Sequence, residues 1–398
     1  MKKYYLLTTT EGCATNLLEN AAHRKRYESL GYAPASNPEG ADLILINTCA
    51  YSASMEDRAV DVISDIQKRF GGKEVVLSGC LPKINPARTK AVFHGTVVES
   101  PKPVPVATEA YHEFDKADFR RLSFKHRLVL FLRPRYFAVE RFLGVRFHPL
   151  HNIFKSVVVN EKFYLLTVAT GCVGQCTFCA IKRSKGKLIS RPLPVILAEF
   201  EMGLKSGFKD FWLLGDDIGC WGQDVDLSVA DLLRALLKKD ESFSVVLNYL
   251  DPHFMLKYEM ELRPLLADPR MICINVPIQS ASPPILKAMK RDYDVRRLYH
   301  MMADIKARNP GLVIKTNVMV GFPGERWIDF FRSQLSVFAF DAILAMKYSP
   351  RPHTSAAKFS DQVPGYMKSA RLFLLNGAIL LRHFFVATGA LLRPRRAS

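Results

Sequence analysis

Apolar and polar positions alternate along this chain in two repeating patterns. "KYYLLTT", "ADLILINTC" and "EVVLSGC" are apolar runs of strand length. Between them, "NLLENAAHRKRYESLGY" and "EDRAVDVISDIQKRFGG" repeat apolar residues at helical spacing and stop at glycine. Strand, helix and strand joined by short links predict a parallel, doubly wound sheet over the first hundred residues. A second alternation starts near Lys162. Its strand candidates are "FYLLTVATGC", "DFWLLGDD", "SVVLNYL", "MICINVPIQS", "VIKTNVMVGFPGE" and "AILAMKYSP", with helical stretches such as "PVILAEFEMGLKSG" and "VRRLYHMMADIKARNP" between them. Six strand–helix units are too few to close an eight-stranded barrel. They predict a partial (β/α)6 barrel with functional residues at the carboxyl ends of its strands. The expected fold class is therefore α/β, divided into residues 1–100, a linker and insertion at 101–157, the barrel at 158–380 and a tail at 381–398.

The insertion differs from both patterns. "PKPVPVATEA" reads as a linker because of its three prolines. The segment 119–155 then interleaves aromatic residues with Arg120, Arg121, Lys125, Arg127, Arg133, Arg135, Arg141, Arg146 and Lys155, against one acid, Glu140. Three readings stand. It grips a phosphate backbone while its rings stack on bases. It lies on an anionic membrane. Or it covers a domain seam with its arginine heads in water.

Composition narrows the class. The chain has 398 residues, 48% hydrophobic and 24% charged, which suits a globular protein of two or more domains. Its net charge of +18 points to an anionic partner, with a generally basic solvated surface as the competing reading. "MKKYYLLTTTEGC" has no long apolar core, so a signal peptide is not expected and a cytoplasmic location is. There, clustered cysteines mean metal or redox work rather than disulfides. The apolar segment from Leu372 to Leu392 is interrupted by Asn376, Arg382 and His383, and reads as a packing helix rather than a membrane-contacting one.

The eight cysteines carry the chemistry. Cys172, Cys176 and Cys179 fall in "ATGCVGQCTFCAIK", with no fourth ligand close by to complete a structural zinc site. Cys13, Cys49 and Cys80 each follow one of the first three predicted strands. A parallel sheet would bring these three thiols to one rim. The competing readings are buried packing thiols for the first trio and zinc or redox sensing for the second. Thiolates are the usual ligands of iron–sulfur clusters, and three cysteines on a four-iron cubane leave one iron open.

The CxxxCxxC spacing, with Phe178 before its last cysteine, resembles the radical S-adenosylmethionine enzymes. "GCATN" at Gly12 to Asn16, "INTCA" at Ile46 to Ala50 and "LSGCLP" at Leu77 to Pro82 are similar to the amino-terminal domain of the methylthiotransferases within that group. "LLGDDIGCWGQD", "VPIQSAS", "VMVGFPGE", "YSPRPHTSAAKFSDQVP" and "KSARL" fall in that family's order. The resemblance implies two [4Fe-4S] clusters. Cys172, Cys176 and Cys179 would hold the radical-generating one, whose open iron chelates S-adenosylmethionine. Cys13, Cys49 and Cys80 would hold an auxiliary one that carries sulfur. It implies cofactor contacts at Phe178, Arg191, Gly215, Asp216, Gln279, Ser280 and Gly321, with Ser282 nearby. Gly324 and Glu325 are expected to shape a turn, and Cys220 and Cys273 to be packed thiols. It also implies an electron donor such as flavodoxin or ferredoxin.

Three features depart from the family's pattern. The small carboxyl-terminal β-barrel that binds RNA is not found before the end at "LLRPRRAS". Asp216 and Asp217 stand where amides are usual. The 119–155 insertion is not a usual family feature. The expected activity turns an inert C–H of a macromolecule into C–S–CH3. A transfer RNA adenosine is the leading substrate and a protein or peptide side chain the alternative. A non-catalytic iron–sulfur protein is a third reading.

Overall fold

The computed structural model describes residues 1–10, 13–99 and 163–391. The expected linker and insertion at 101–157 and the last seven residues lie outside the described residues.

The amino-terminal sheet contains β1 (Lys3–Thr8), β2 (Ala33–Pro34), β3 (Leu43–Thr48), β4 (Glu74–Gly79) and β5 (Thr96–Val97), all parallel, in the order β2-β1-β3-β4-β5. Every residue of β3 is buried, as a central strand covered on both faces requires. Helices α1 (Ala14–Ser29) and α2 (Ala53–Phe70) form two of its crossovers. Two short helices, α3 (Leu81–Ile84) and α4 (Pro86–Val92), follow β4. This is a doubly wound order, whose ligand crevice lies outside the carboxyl ends at the β1/β3 switch point.

The second sheet has six parallel strands: β6 (Phe163–Thr167), β9 (Asp210–Leu214), β10 (Ser244–Leu247), β11 (Met271–Asn275), β12 (Val313–Val320) and β13 (Ala342–Lys347). Each lies beside its sequence neighbour in the sheet, giving the expected partial barrel. Between β6 and β9, a small antiparallel ladder of β7 (Ala169–Thr170) and β8 (Ile189–Ser190) pinches the base of the cysteine loop. Helix α5 (Ile181–Lys185) lies inside that loop. The main outer helices are α6 (Leu193–Lys205), α7 (Val229–Leu237), α8 (Pro252–Lys257), α9 (Glu259–Leu266), α10 (Pro283–Ala288), α11 (Val295–Arg308), α12 (Trp327–Leu335) and α13 (Gly365–Leu391).

Helix α13 runs unbroken through position 381, where the sequence reading starts a tail. Its Leu375 and Ile379 join the barrel core, and Arg371 makes a buried ion pair with Glu325 at 2.7 Å, so its described part is a packing helix. No helix among the described residues is long and apolar enough to cross a membrane.

The two sheets share packing. Ala180 is buried in the amino-terminal core with Cys80, Leu81 and Ile84. Leu18 of α1 clusters with Leu165 of β6 and Leu214 of β9. Buried Glu56 of α2 pairs with Arg351, which follows β13 and is 4% exposed, and also accepts from Arg88 at 2.9 Å and Asn85 at 2.8 Å. Burial pushes the Glu56 carboxyl up, but these donors outweigh it and hold its pKa below 4.5. The contribution to stability is therefore present above the unfolded carboxylate's pKa and fades as pH falls through the lower folded value.

Candidate metal and cofactor site

The topology brings the first cysteine trio to one rim. Cys13 follows β1 and caps α1, Cys49 follows β3 and Cys80 follows β4. Burial pushes the thiols up, Cys13 to about 12 and Cys80 to about 11, and Cys13 and Cys80 each feel Cys49 as a neighbouring negative charge. Backbone N–H groups of Asn16 on Cys13, and of Ala50 and Tyr51 on Cys49, favour the thiolate in return. Buried thiols supplied with N–H donors, with the Lys185 ammonium within electrostatic reach, suit a metal that binds them as thiolates.

Gly79 sets the position of Cys80. Its φ is +93°, and a Cβ there would lie 2.3 Å from the Thr48 carbonyl oxygen. Gly79→Ala is expected to lower stability by about 2–4 kcal/mol, through both backbone strain and the clash. Urea unfolding checks this, and an unchanged midpoint would contradict it.

The second trio sits on the loop that β7 and β8 close. Gly171 starts the loop at φ +75°, where a Cβ would meet the Lys187 carbonyl at 2.0 Å. At Gly174 a Cβ would stand 3.1 Å from Cys172 Sγ and 3.9 Å from Cys176 Sγ, in the space the sulfurs enclose. Gly174 also donates its N–H to Cys172 Sγ at 3.1 Å, and Cys179 receives N–H groups from Ile181 and Lys182. Burial raises Cys176 to about 12 and raises Cys179. Cys172 goes the other way, to about 7, chiefly because Cys220 hydrogen-bonds to it.

Sulfur spacing separates one ion from a cluster. A single zinc would hold thiolate sulfurs about 3.8 Å apart. Among the described residues, the only three metal-donor side chains with ligand atoms all within 4.8 Å are Cys172, Asp217 and Cys220. Neither trio is gathered that tightly, which leaves room for a multi-iron group.

Both trios border one seam. Ser184 of α5, five residues after Cys179, donates its hydroxyl to Cys80 Sγ at 3.8 Å. Its neighbour Lys185 pairs with buried Glu19 of α1. Burial works against charge on Lys185, but Glu19 and Cys80 outweigh it and raise its pKa. Lys185 also acts on Asp216, which is raised by burial and accepts the Gly171 N–H at 2.8 Å. A cavity of about 140 Å³ lies between the sheets, lined by Glu19, Cys80, Thr170, Lys185, Gly215 and Asp216 among others. Tyr51 and Tyr249, 51% and 38% exposed, flank the first trio. Tyr249 holds φ +58°, costly for an aromatic residue, and stands within electrostatic reach of Cys13, Cys49 and Asp216.

The other expected cofactor contacts divide. Gln279 is buried with φ +63°, and its side-chain oxygen has no partner among the described residues. Phe178 packs edge-on to Phe322. Ser280 bonds Ser333 at 3.0 Å and Ser282 donates to Asp329 at 2.6 Å, so both are held inside the fold. Arg191 is committed to the Thr167 carbonyl and to buried Glu199. Gly321 donates to Glu325 at 2.7 Å, and the Lys368 side chain occupies the space its Cβ would need. Gly324 and Glu325 shape a turn, as expected; Asp361 crowds Gly324. Cys273 is buried in β11.

Comparisons with known proteins agree with this arrangement. Residues 5–98 match a family described as uncharacterized protein family UPF0004, and residues 166–333 match the radical SAM superfamily. The chain is 28% identical over 366 residues to the threonylcarbamoyladenosine tRNA methylthiotransferase of Mus musculus, covering 91% of this chain and 60% of that protein. It is 27% identical to a probable enzyme of the same name from Pyrococcus abyssi, covering 92% and 81%. It is 28% identical to a ribosomal protein uS12 methylthiotransferase from Carboxydothermus hydrogenoformans, covering 91% and 78%.

The chain is similar to the radical S-adenosylmethionine methylthiotransferases.

The fold agrees. A radical S-adenosylmethionine methyltransferase from Kitasatospora setae superposes with a TM-score of 0.57 at 13% identity, covering 89% of this chain and 75% of that one. The chain spans about 60% of the length of the first vertebrate methylthiotransferases it matches. The radical SAM match over residues 166–333 implies a [4Fe-4S] cluster and S-adenosylmethionine. The wide trio Cys172, Cys176 and Cys179, the cradle at Gly174 and the unpartnered Gln279 oxygen all fit such a pair.

Sequence reasoning missed several residues of this seam. Lys185 was one charge in the basic run "IKRSKGK", and Glu19 one acid in a polar helix. Cys220 was expected to be a packed thiol. It is fully buried, but it also touches Cys172.

Proposed function

We propose that this chain is a radical S-adenosylmethionine methylthiotransferase that converts an inert C–H of a macromolecule into C–S–CH3. The observation that carries the reading is that both cysteine trios border one seam, with Ser184 of the second trio's loop bonded to the first trio's Cys80 and Lys185 within electrostatic reach of it. Cys172, Cys176 and Cys179 would hold the radical-generating cluster, and Cys13, Cys49 and Cys80 a second [4Fe-4S] cluster. Bound, these groups and S-adenosylmethionine supply a carbon radical able to take hydrogen from an inert C–H, and a methylated sulfur to fill the vacancy. Lys185 places a buried positive charge beside Cys80 and favours anionic sulfur there. Gly215 and Asp216 line the seam on the barrel side, and Gln279 offers a free carbonyl oxygen. An electron donor such as flavodoxin or ferredoxin would serve the barrel cluster.

The favoured substrate is an adenosine of transfer RNA. The net charge of +18 favours a polyanion. The exposed rings of Tyr51 and Tyr249 give a base something to stack on. A protein side chain is the second reading, favoured by the similarity to a ribosomal protein methylthiotransferase. Nucleosides and ribosomal peptides from a strain lacking the gene, restored with the parent or with Cys80→Ala, distinguish the two by mass spectrometry. The expected result is a methylthio-adenosine that disappears on deletion and returns only with the parent. Loss of a methylthio group from a peptide, with nucleosides unchanged, overturns the RNA reading.

A further inference from the structure

We propose that Cys172, Asp217 and Cys220 form a site for one soft divalent cation, zinc or ferrous iron, in the chain that lacks its radical cluster. The site competes with that cluster for Cys172. The three donor atoms lie within 4.8 Å of one another. Cys172 Sγ and Asp217 Oδ2 are 3.9 Å apart, close to the about 3.5 Å that sulfur and oxygen ligands of one tetrahedral zinc would show.

The carboxylate is prepared for this role. Its Oδ1 accepts N–H groups from Gly219 at 2.9 Å and Asp251 at 3.2 Å, which fixes the plane and turns Oδ2 toward Cys172. Cys220 ends the short turn that Asp217 opens, and its thiol donates to the Asp217 carbonyl oxygen at 3.0 Å. Its sulfur lies within 4.8 Å of an Asp217 carboxylate oxygen and is shielded from solvent. Charge points the same way. Asp217 is 6% exposed and makes no ion pair among the described residues, because nearby Arg291 is taken by Asp251 at 2.8 Å. A buried carboxylate with no cation partner is costly, and a bound dication removes that cost.

The site is distinct from the CxxxCxxC trio. It shares Cys172 but takes Asp217 and Cys220 in place of Cys176 and Cys179. Cys172 is partly exposed, so water can complete the tetrahedron. A cation seated here holds Cys172 away from the other two loop cysteines, so it must leave before the cluster forms. The binding itself does not depend on the function proposed above.

The test uses the full chain, stripped of iron by chelation, reduced, and kept free of oxygen. Cobalt(II) serves as the optical probe. One equivalent should produce thiolate-to-cobalt absorption and the visible bands of a tetrahedral ion. Cys220→Ser and Asp217→Asn should each weaken binding by about tenfold or more, and Cys176→Ser and Cys179→Ser should change it by less than about threefold. X-ray absorption of the zinc-loaded parent should show two sulfur and two lighter ligands, a readout that needs no variant to fold. Three sulfur ligands, or cobalt binding that depends on Cys176 and Cys179 but not on Cys220, overturns the proposal. So does the lack of a stoichiometric thiolate band in the parent.

Discussion

Replacing Cys172, Cys176 and Cys179 together by alanine will leave a chain with about four iron atoms in place of about eight after anaerobic reconstitution, as expected if each trio holds its own four-iron group. Reductive cleavage of S-adenosylmethionine to 5′-deoxyadenosine should fall below about one-thousandth of the parent rate, because this trio sits on the loop that follows the first barrel strand. The matching variant of Cys13, Cys49 and Cys80 should also keep about four irons. It should still cleave S-adenosylmethionine within about tenfold of the parent, yet transfer no methylthio group. The asymmetry follows from the fold. One trio is fixed by three strand ends of the first sheet, and the other by a loop that the β7–β8 ladder closes on its own. Iron content and 5′-deoxyadenosine are measured on the same samples. Equal loss of cleavage from both variants would show that the trios do not have separate roles.

Arg351→Ala should be among the most destabilising single changes, at about 3–5 kcal/mol, because it leaves Glu56 charged and buried between the sheets with one fewer partner. The pair crosses 295 residues of sequence, and both side chains are nearly fully buried. Arg88 still reaches Glu56 at 2.9 Å, so the loss falls short of an isolated buried charge. Replacing both residues by methionine should cost less than Arg351→Ala, since no unpaired charge remains. The stability difference between parent and Arg351→Ala should shrink as pH falls through the lowered folded pKa of Glu56, where the carboxyl takes up a proton. Urea unfolding of the single and double variants over pH 3.5 to 7 reads all three effects. A loss below about 1 kcal/mol would mean that the pair behaves as a solvent-screened surface bridge.

Much of the fold was legible because its signals are local. The strands β1, β3 and β4 are unbroken apolar runs, and the barrel strands recur at the spacing of strand–helix units. The edge strands β2 and β5 escaped notice because each is two residues long and neither is buried on both faces. The first trio was legible because a parallel sheet aligns strand ends, so three distant cysteines share a rim whatever the loop lengths. The seam was not, because its contacts are tertiary. Nothing near Glu19 announces a lysine 166 residues away, and nothing near Glu56 announces Arg351. Arg191 illustrates the reverse case. Its place in the sequence order suggested the cofactor, but Glu199 lies two helical turns further on and takes the guanidinium. The basic aromatic segment at 119–155 was conspicuous in sequence and lies outside the described residues.

The most direct test of two metal centres sharing one seam is electron paramagnetic resonance of the fully reconstituted, reduced chain. Two reduced clusters on facing rims should couple magnetically, giving a broadened signal that relaxes faster than either alone. Each triple-alanine variant should return the narrow signal of a single cluster. A parent spectrum equal to the plain sum of the two variants' spectra would place the centres too far apart for one substrate to meet both.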